Sequence, residues 1–222
     1  MIKLGDTFPD FEADTSVGKI KFHEWLGNSW GILFSHPHDF TPVCTTELAR
    51  VVKLMPEFKR LGVKVIALSC NSVNSHKEWI KDIKAYGGIK TEFPYPIIED
   101  ESRKIVTQLG MLDPQELDSA GIPVSARSVF IIDQNKKMRL SILYPASTGR
   151  NFDEIIRVLE SLQLTDKYKV ATPADWKKGD PVMIQPNIPD EEAKQLFTSS
   201  INTMSLPSGK NYVRLIDEPT NA

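Results

Sequence analysis

Cys44 stands where the start of a helix would ionise it. In the run Phe40-Thr41-Pro42-Val43-Cys44-Thr45-Thr46-Glu47, Thr41 reads as an N-cap and Pro42 as the first helical residue, a position where the missing N–H of proline has no intrahelical partner to lose. Cys44 then falls in the first turn. Unpaired backbone N–H groups and the positive end of the helix dipole favour an anion there, so the spacing predicts a thiolate in preference to a thiol. Such a thiolate is able to act as a hydrolase nucleophile, a disulfide exchanger, a metal ligand or a peroxide-reducing group.

The other reactive side chains narrow the choice. The 222 residues include two cysteines and four histidines. No second cysteine lies within three residues of Cys44 or of Cys70, which excludes a C-x-x-C exchanger. Papain-like hydrolysis needs a distant histidine as base, and His23, His36, His38 and His76 offer no clear candidate. His36 and His38 would share one side of an extended segment near Cys44, but the intervening Pro37 and the lack of a fourth ligand in a recognisable motif weigh against a metal site.

The elements that must hold Cys44 follow from periodicity. Trp30 to Ser35 is an apolar run ended by His36-Pro37, a buried strand. After the Thr41 cap, Leu48, Val51, Val52, Met55, Phe58 and Leu61 recur at helical spacing until Gly62. Val63 to Ser69, rich in β-branched residues, is a second buried strand. Together they make a βαβ unit with Cys44 at the carboxyl edge of the strands, where such folds gather functional groups. Ser75 to Tyr86 and Ser102 to Leu109 read as helices and Pro96 to Glu99 as a short strand. Val129 to Asp133 and Met138 to Leu143 form a hairpin around Gln134-Asn135-Lys136-Lys137, and a last long helix starts after Asn151. The expected fold class is α/β, a central mixed sheet flanked by helices. Six of the 15 prolines lie beyond Thr165, which places a boundary between a first domain of residues 1–165 and a small folded appendage of residues 166–222. In the appendage Asp190 to Phe197 is a helix candidate and Tyr212 to Ile216 an apolar stretch.

Composition bounds the partners. With 27 Lys and Arg against 29 Asp and Glu, the net charge of −2 gives no bias toward nucleic acid or an anionic membrane. The absence of a long apolar run, the two cysteines and the opening Met1-Ile2-Lys3-Leu4-Gly5-Asp6 lead to the expectation of a soluble chain in a reducing compartment, the cytoplasm by default, without a Cys44–Cys70 disulfide.

Pro37-x-x-x-Thr41-x-x-Cys44 matches the P-x-x-x-T-x-x-C signature of peroxiredoxins. With Phe34 to Pro37, Asp39 to Leu48, Leu143 to Asn151 and Val170 to Trp176, the chain resembles the one-cysteine, peroxiredoxin 6-type subfamily over nearly its whole length. The resemblance implies a thioredoxin-like fold with a C-terminal peroxiredoxin domain that takes part in dimer contacts. It also implies a peroxidatic Cys44 that attacks the O–O bond of hydrogen peroxide or an organic hydroperoxide and becomes a sulfenic acid. By the same resemblance Thr41 holds thiolate and peroxide oxygen, Pro37 shields the thiolate, and Arg127 keeps Cys44 ionised and polarises the peroxide. Glu47 and Arg150 orient that arginine, and His36 lies beside the pocket, able to hydrogen-bond the oxidised sulfur. His38 stands where vertebrate members would be expected to carry arginine. Two-cysteine relatives have a resolving cysteine in a C-terminal Val-Cys-Pro segment that this tail lacks. An external thiol, glutathione foremost, is therefore the expected reductant, Cys70 a buried bystander, and no bound cofactor or metal is expected. The family forms homodimers by joining sheets edge to edge, and sometimes larger rings.

Gly27-Asn28-Ser29-Trp30-Gly31 fits the G-x-S-x-G nucleophile elbow, but here the serine precedes a strand where the elbow needs a strand before it and a helix after. Some peroxiredoxin 6-type members carry a calcium-independent phospholipase A2 activity on a Ser/His/Asp set, and two of these residues map to Ser29 and His23. The acidic member falls on Asn135, which cannot stabilise an imidazolium as a carboxylate does, with Asp133 two residues away. A redox-sensing or chaperone-like interaction protein is the other alternative to a peroxidase.

Overall fold

The computed structural model describes residues 2–219. It begins with a hairpin of β1 (Glu12–Thr15) and β2 (Gly18–Lys21), then a short helix α1 (Phe22–Leu26). Sequence periodicity does not reveal this hairpin, because β2 turns only Ile20 partly inward and its other residues are exposed.

The expected βαβ unit follows as β3 (Trp30–Ser35), α2 (Pro42–Arg60) and β4 (Val63–Ser69). All six residues of β3 are buried, and β3 pairs parallel with β4 from Trp30↔Val63 to Ser35↔Leu68. Helix α2 buries Cys44, Glu47, Leu48, Ala49, Val51 and Phe58, so one face carries both the candidate nucleophile and a carboxylate. The chain leaves it through Gly62 at φ +65°, a left-handed conformation that glycine adopts without steric cost. Next come α3 (Val73–Gly87), β5 (Ile97–Glu99) and α4 (Lys104–Leu109). The start of α3 is fixed by Ser72, whose hydroxyl accepts the Ser75 N–H at 3.2 Å. A two-stranded ribbon of β6 (Leu112–Leu117) and β7 (Pro123–Ser125), absent from the sequence expectation, leads to the hairpin β8 (Arg127–Ile132) and β9 (Met138–Tyr144).

The central sheet runs β2-β1-β5-β4-β3-β8-β9. Strands β3, β4 and β5 are parallel, whereas β8 joins β3 antiparallel, which makes the sheet mixed. Because the three parallel strands end together, the segments after Ser35, Ser69 and Glu99 meet at one edge. Phe8, Phe22, Leu33, Ile66, Leu68, Ile98, Phe130 and Ile132 belong to one buried cluster beneath the sheet.

The chain divides into two compact units, the first ending at Phe152 and the second beginning at Asp153. The division lies ahead of the expected boundary at 165 because helix α5 (Phe152–Lys167) belongs mostly to the second unit: Leu164 and the following Tyr168 pack against a core of Val170, Trp176, Val182, Ile184, Ile188, Ala193, Phe197 and Ile216. That core is framed by β10 (Val170–Ala171), β11 (Val182–Ile184), α6 (Asp190–Leu196), β12 (Asn202–Thr203) and β13 (Arg214–Ile216). No helix among the described residues is long and apolar enough to cross a membrane.

Candidate active site

Cys44 is the third residue of α2 and is fully buried. Thr41 caps the helix by position, in extended backbone, but its hydroxyl makes no cap bond and donates instead to the His38 carbonyl at 2.8 Å. The first-turn N–H groups around Cys44 thus give up nothing to the Thr41 side chain, which corrects the expectation of an ordinary N-cap. Pro37 is buried in the same loop, and Phe40 holds a left-handed φ of +55° immediately before the helix, a conformation that costs a non-glycine residue about 1–3 kcal/mol.

Arg127, at the start of β8, brings its Nη1 within 3.2 Å of Cys44 Sγ and 2.9 Å of Glu47 Oε2. Its Nε and Nη2 donate to the Ala146 carbonyl at 2.9 and 2.6 Å, so the guanidinium is held from both ends. Glu47 lies three residues after Cys44 on the same buried face. It also accepts from Arg150, through the backbone N–H at 2.8 Å, Nε at 2.9 Å and Nη2 at 2.6 Å, while Arg150 Nη1 donates to the Ser128 carbonyl at 2.7 Å. The Arg150 guanidinium lies over the rings of Phe34 and Phe152. Burial alone would push the Glu47 carboxyl up. The charge and hydrogen bonds of Arg150, with the charge of Arg127, outweigh it and hold the carboxyl below its ordinary value. Side-chain exposures of 3% for Arg127, 3% for Glu47 and 1% for Arg150 leave two cations and one carboxylate in a nearly dry pocket. The surplus positive charge is compensated locally when the sulfur beside Arg127 is a thiolate.

His36 is fully buried, and its Nε2 lies 2.8 Å from Asp39 Oδ1. Burial pulls this imidazole below its ordinary value against the opposing pull of Asp39. Sequence reasoning missed Asp39 and His76: Asp39 Oδ2 lies 2.7 Å from His76 Nδ1. The only local signal was a carboxylate three residues after His36. Cys70 belongs to the apolar core, and burial pushes its thiol up to about 11, away from the thiolate form. Both cysteines are free.

Ser29 and His23 do not form a catalytic pair. The His23 Nε2 lies 2.7 Å from the Phe8 carbonyl and must donate its proton there, and no hydrogen bond joins Ser29 to His23 among the described residues. The Asp133 carboxylate is occupied by its own turn, accepting from the backbone N–H of Asn135 at 2.8 Å and of Lys137 at 2.9 Å and from Arg139 Nη1 at 3.2 Å. The resemblance located the two residues, and the geometry leaves them without a relay.

The AhpC/TSA family model matches residues 4–141, and the C-terminal domain of 1-Cys peroxiredoxin matches residues 161–200. The chain is 62% identical to Peroxiredoxin-6 of Sus scrofa over 218 residues, which is 97% of each chain. It belongs to the one-cysteine, peroxiredoxin 6-type peroxiredoxins. Peroxiredoxin-6 of Homo sapiens is 59% identical over the same span, 97% of each chain. Among solved structures, a cysteine-to-serine mutant of the Peroxiredoxin 6 of Arenicola marina superposes with a TM-score of 0.97 at 57% identity over all of both chains. A yeast mitochondrial 1-Cys peroxiredoxin, described with a thiol-resolving mechanism via glutathione/thioredoxin systems, gives 0.87 at 43% identity, covering 98% of this chain and 100% of that one. This peroxiredoxin is a thiol-dependent peroxidase with a thioredoxin-like fold.

Proposed function

We propose that the Cys44 thiolate attacks the terminal oxygen of hydrogen peroxide or an organic hydroperoxide, and that Arg127, Thr41 and Pro37 shape that step. A sulfur–oxygen bond forms, the O–O bond breaks, and the leaving alkoxide or hydroxide takes a proton to become alcohol or water, leaving Cys44 as a sulfenic acid. The observation that carries this reading is the single Arg127 Nη1 placed 3.2 Å from Cys44 Sγ and 2.9 Å from Glu47. One fixed donor therefore stabilises the thiolate and faces the charge that develops on the peroxide oxygens. Glu47 and Arg150 hold Arg127 in place, and Pro37 keeps the loop dry.

The sulfenic acid is resolved by an external thiol, glutathione in the first instance. That thiol forms a mixed disulfide on Cys44 with loss of water, and a second thiol releases the reduced enzyme. The buried, undissociated Cys70 is a poor resolving group, which favours an outside donor. Because Cys44 is fully buried, a reductant larger than a peroxide reaches it only when the first turn of α2 opens. The protein acts in the cytoplasm as a homodimer or a larger ring. In support, β9 is an edge strand of the sheet with Leu143 exposed, both thiols are free, and the C-terminal unit exposes Leu196, Met204 and Tyr212 toward further contacts. Intact-mass analysis after one equivalent of peroxide and then glutathione tests the resolving step. A glutathione adduct on Cys44 is expected, and a Cys44–Cys70 link in most molecules overturns the one-cysteine cycle.

A further inference from the structure

Behind the peroxidatic loop lies a buried charge cluster that the peroxide chemistry above does not use. Asp39 accepts on one oxygen from His36 Nε2 at 2.8 Å, and on the other it meets His76 Nδ1 at 2.7 Å and the Ser75 hydroxyl at 2.8 Å. The opposite nitrogen of His76, Nε2, lies 3.1 Å from the Ile98 carbonyl. Both imidazoles are fully buried and Asp39 is 6% exposed. A carbonyl and an ionised carboxylate only accept hydrogen bonds, so a His76 ring bracketed by the two must carry a proton on each nitrogen. His36 is different: its Nε2 donates to Asp39, whereas its Nδ1 meets no hydrogen-bond partner among the described residues.

We propose that His76 is a positioning residue for the peroxidase reaction: as the fixed imidazolium counter-ion of Asp39, it keeps His36 neutral, with a proton on Nε2 and a bare Nδ1. The proposal rests on the reading of Cys44 as the peroxidatic centre. Helix α3 reaches the site twice, since Trp79, one turn beyond His76, lies against His36 with ring centroids 4.9 Å apart and donates from Nε1 to Thr45 Oγ1 at 3.1 Å. Thr45 is the neighbour of Cys44. The backbone N–H of Asp39 is also tied to Asn71 Oδ1 at 3.0 Å after β4, so the loop from His36 to Thr41 is anchored to α3 and to the end of β4. The charged groups that act on His36 are Asp39 on its own loop, His76 on α3 and Arg150 on the segment after β9, and the two cations oppose its protonation. Without the His76 cation, the Asp39 carboxylate draws a proton onto His36 Nδ1 and places a positive charge against Trp79, whose Nε1 holds Thr45 next to Cys44.

Nitrogen-detected NMR of the reduced wild-type protein, from about pH 6 to about pH 9, tests this directly. The expected result at neutral pH is one buried histidine that carries a proton on both nitrogens and a second in the neutral Nε2–H tautomer. Loss of each signal in His76→Gln and His36→Gln assigns them. In His76→Gln the His36 ring should become doubly protonated near neutral pH. The second-order rate with hydrogen peroxide should fall on the order of tenfold or more and gain an ionisation that wild type lacks. His76→Gln combined with Asp39→Asn should return His36 to the neutral tautomer. A neutral His76 in wild type overturns the proposal, even if the variants do not fold. So does a His36 that stays neutral in folded His76→Gln with an unchanged pH profile. Retained Cys44 oxidation alongside either outcome separates this failure from failure of the peroxidase reading.

Discussion

Replacing Glu47 with glutamine tests whether one buried carboxylate organises the whole site. Four hydrogen bonds converge on it, one from Arg127 and three from Arg150, between 2.6 and 2.9 Å. Glutamine keeps the shape and one acceptor oxygen but turns two N–H donors toward two guanidinium groups. About half of the four charge-assisted bonds are lost, at about 1.5–3 kcal/mol each, for a cost of about 3–6 kcal/mol. The independent figure for stranding a buried ion-pair partner, about 3–5 kcal/mol, agrees. Set against a typical total of about 5–15 kcal/mol, Glu47→Gln should fold with a much reduced margin and an Arg127 no longer fixed toward Cys44. Urea titration followed by tryptophan fluorescence measures the first effect, and stopped-flow peroxide kinetics should show a rate lower by about tenfold to a hundredfold. The pH dependence has a definite sign. The Glu47 carboxyl is held below its ordinary value in the folded chain, so its contribution is present above about pH 4.3, the unfolded value, and is lost as pH falls through the lower folded value. The stability gap between wild type and Glu47→Gln must therefore narrow on acidification. A variant within about 0.5 kcal/mol of wild type at neutral pH, or a gap that acid leaves unchanged, refutes the reasoning.

Other substitutions isolate other parts. Arg127→Lys keeps a charge but loses the fork that spans Cys44, Glu47 and the Ala146 carbonyl, and the peroxide rate should drop by about 10²–10³-fold; a rate within threefold of wild type, by stopped-flow, would contradict the role given to its geometry. Cys70→Ala removes a core thiol at a cost of about 1 kcal/mol, and steady-state turnover with glutathione should be unchanged, whereas a large loss of turnover would make Cys70 part of the cycle. Phe40→Gly relieves the left-handed φ of +55° at an exposed side chain, so the urea midpoint should hold or rise by up to about 1 kcal/mol of stability; a marked fall would mean that the Phe40 contact with Trp79 outweighs the strain.

What the residues disclosed in advance, and what they hid, follows from the range of the interactions. The start of α2 at Thr41-Pro42, the buried runs of β3 and β4, and the hairpin around Gln134 to Lys137 are governed by local spacing, and the structure has them within a residue or two. Helix α5 was visible as a helix, but its allegiance to the second unit was not, since that depends on Leu164 and Tyr168 meeting a core made of later residues. Strand β2, with the polar texture Gly-Lys-Ile-Lys, has no periodicity to detect and forms because β1 is there to pair with it. At the site, Cys44 was legible from the helix start alone. Glu47, Arg127 and Arg150 came only through the family resemblance: a carboxylate on a helix reads as solvated until its partners are known, and 80 and 103 residues separate the two arginines from the carboxylate they hold. The Asp39–His76 contact spans 37 residues and carries no local mark, since a lone histidine on a helix face reads as ordinary core. The hydroxyl of Thr41 was assigned to the helix start on residue type, yet the loop geometry turns it to the His38 carbonyl.

The central claim is that Cys44, set against Arg127 in a dry pocket, reacts with peroxide far faster than an ordinary thiol. Rapid-mixing kinetics of peroxide consumption by wild type and Cys44→Ser measure it most directly. The expected result is a bimolecular rate orders of magnitude above that of a free thiol in wild type and its loss in Cys44→Ser. A wild-type rate no faster than a free thiol, or full activity in Cys44→Ser, would contradict it.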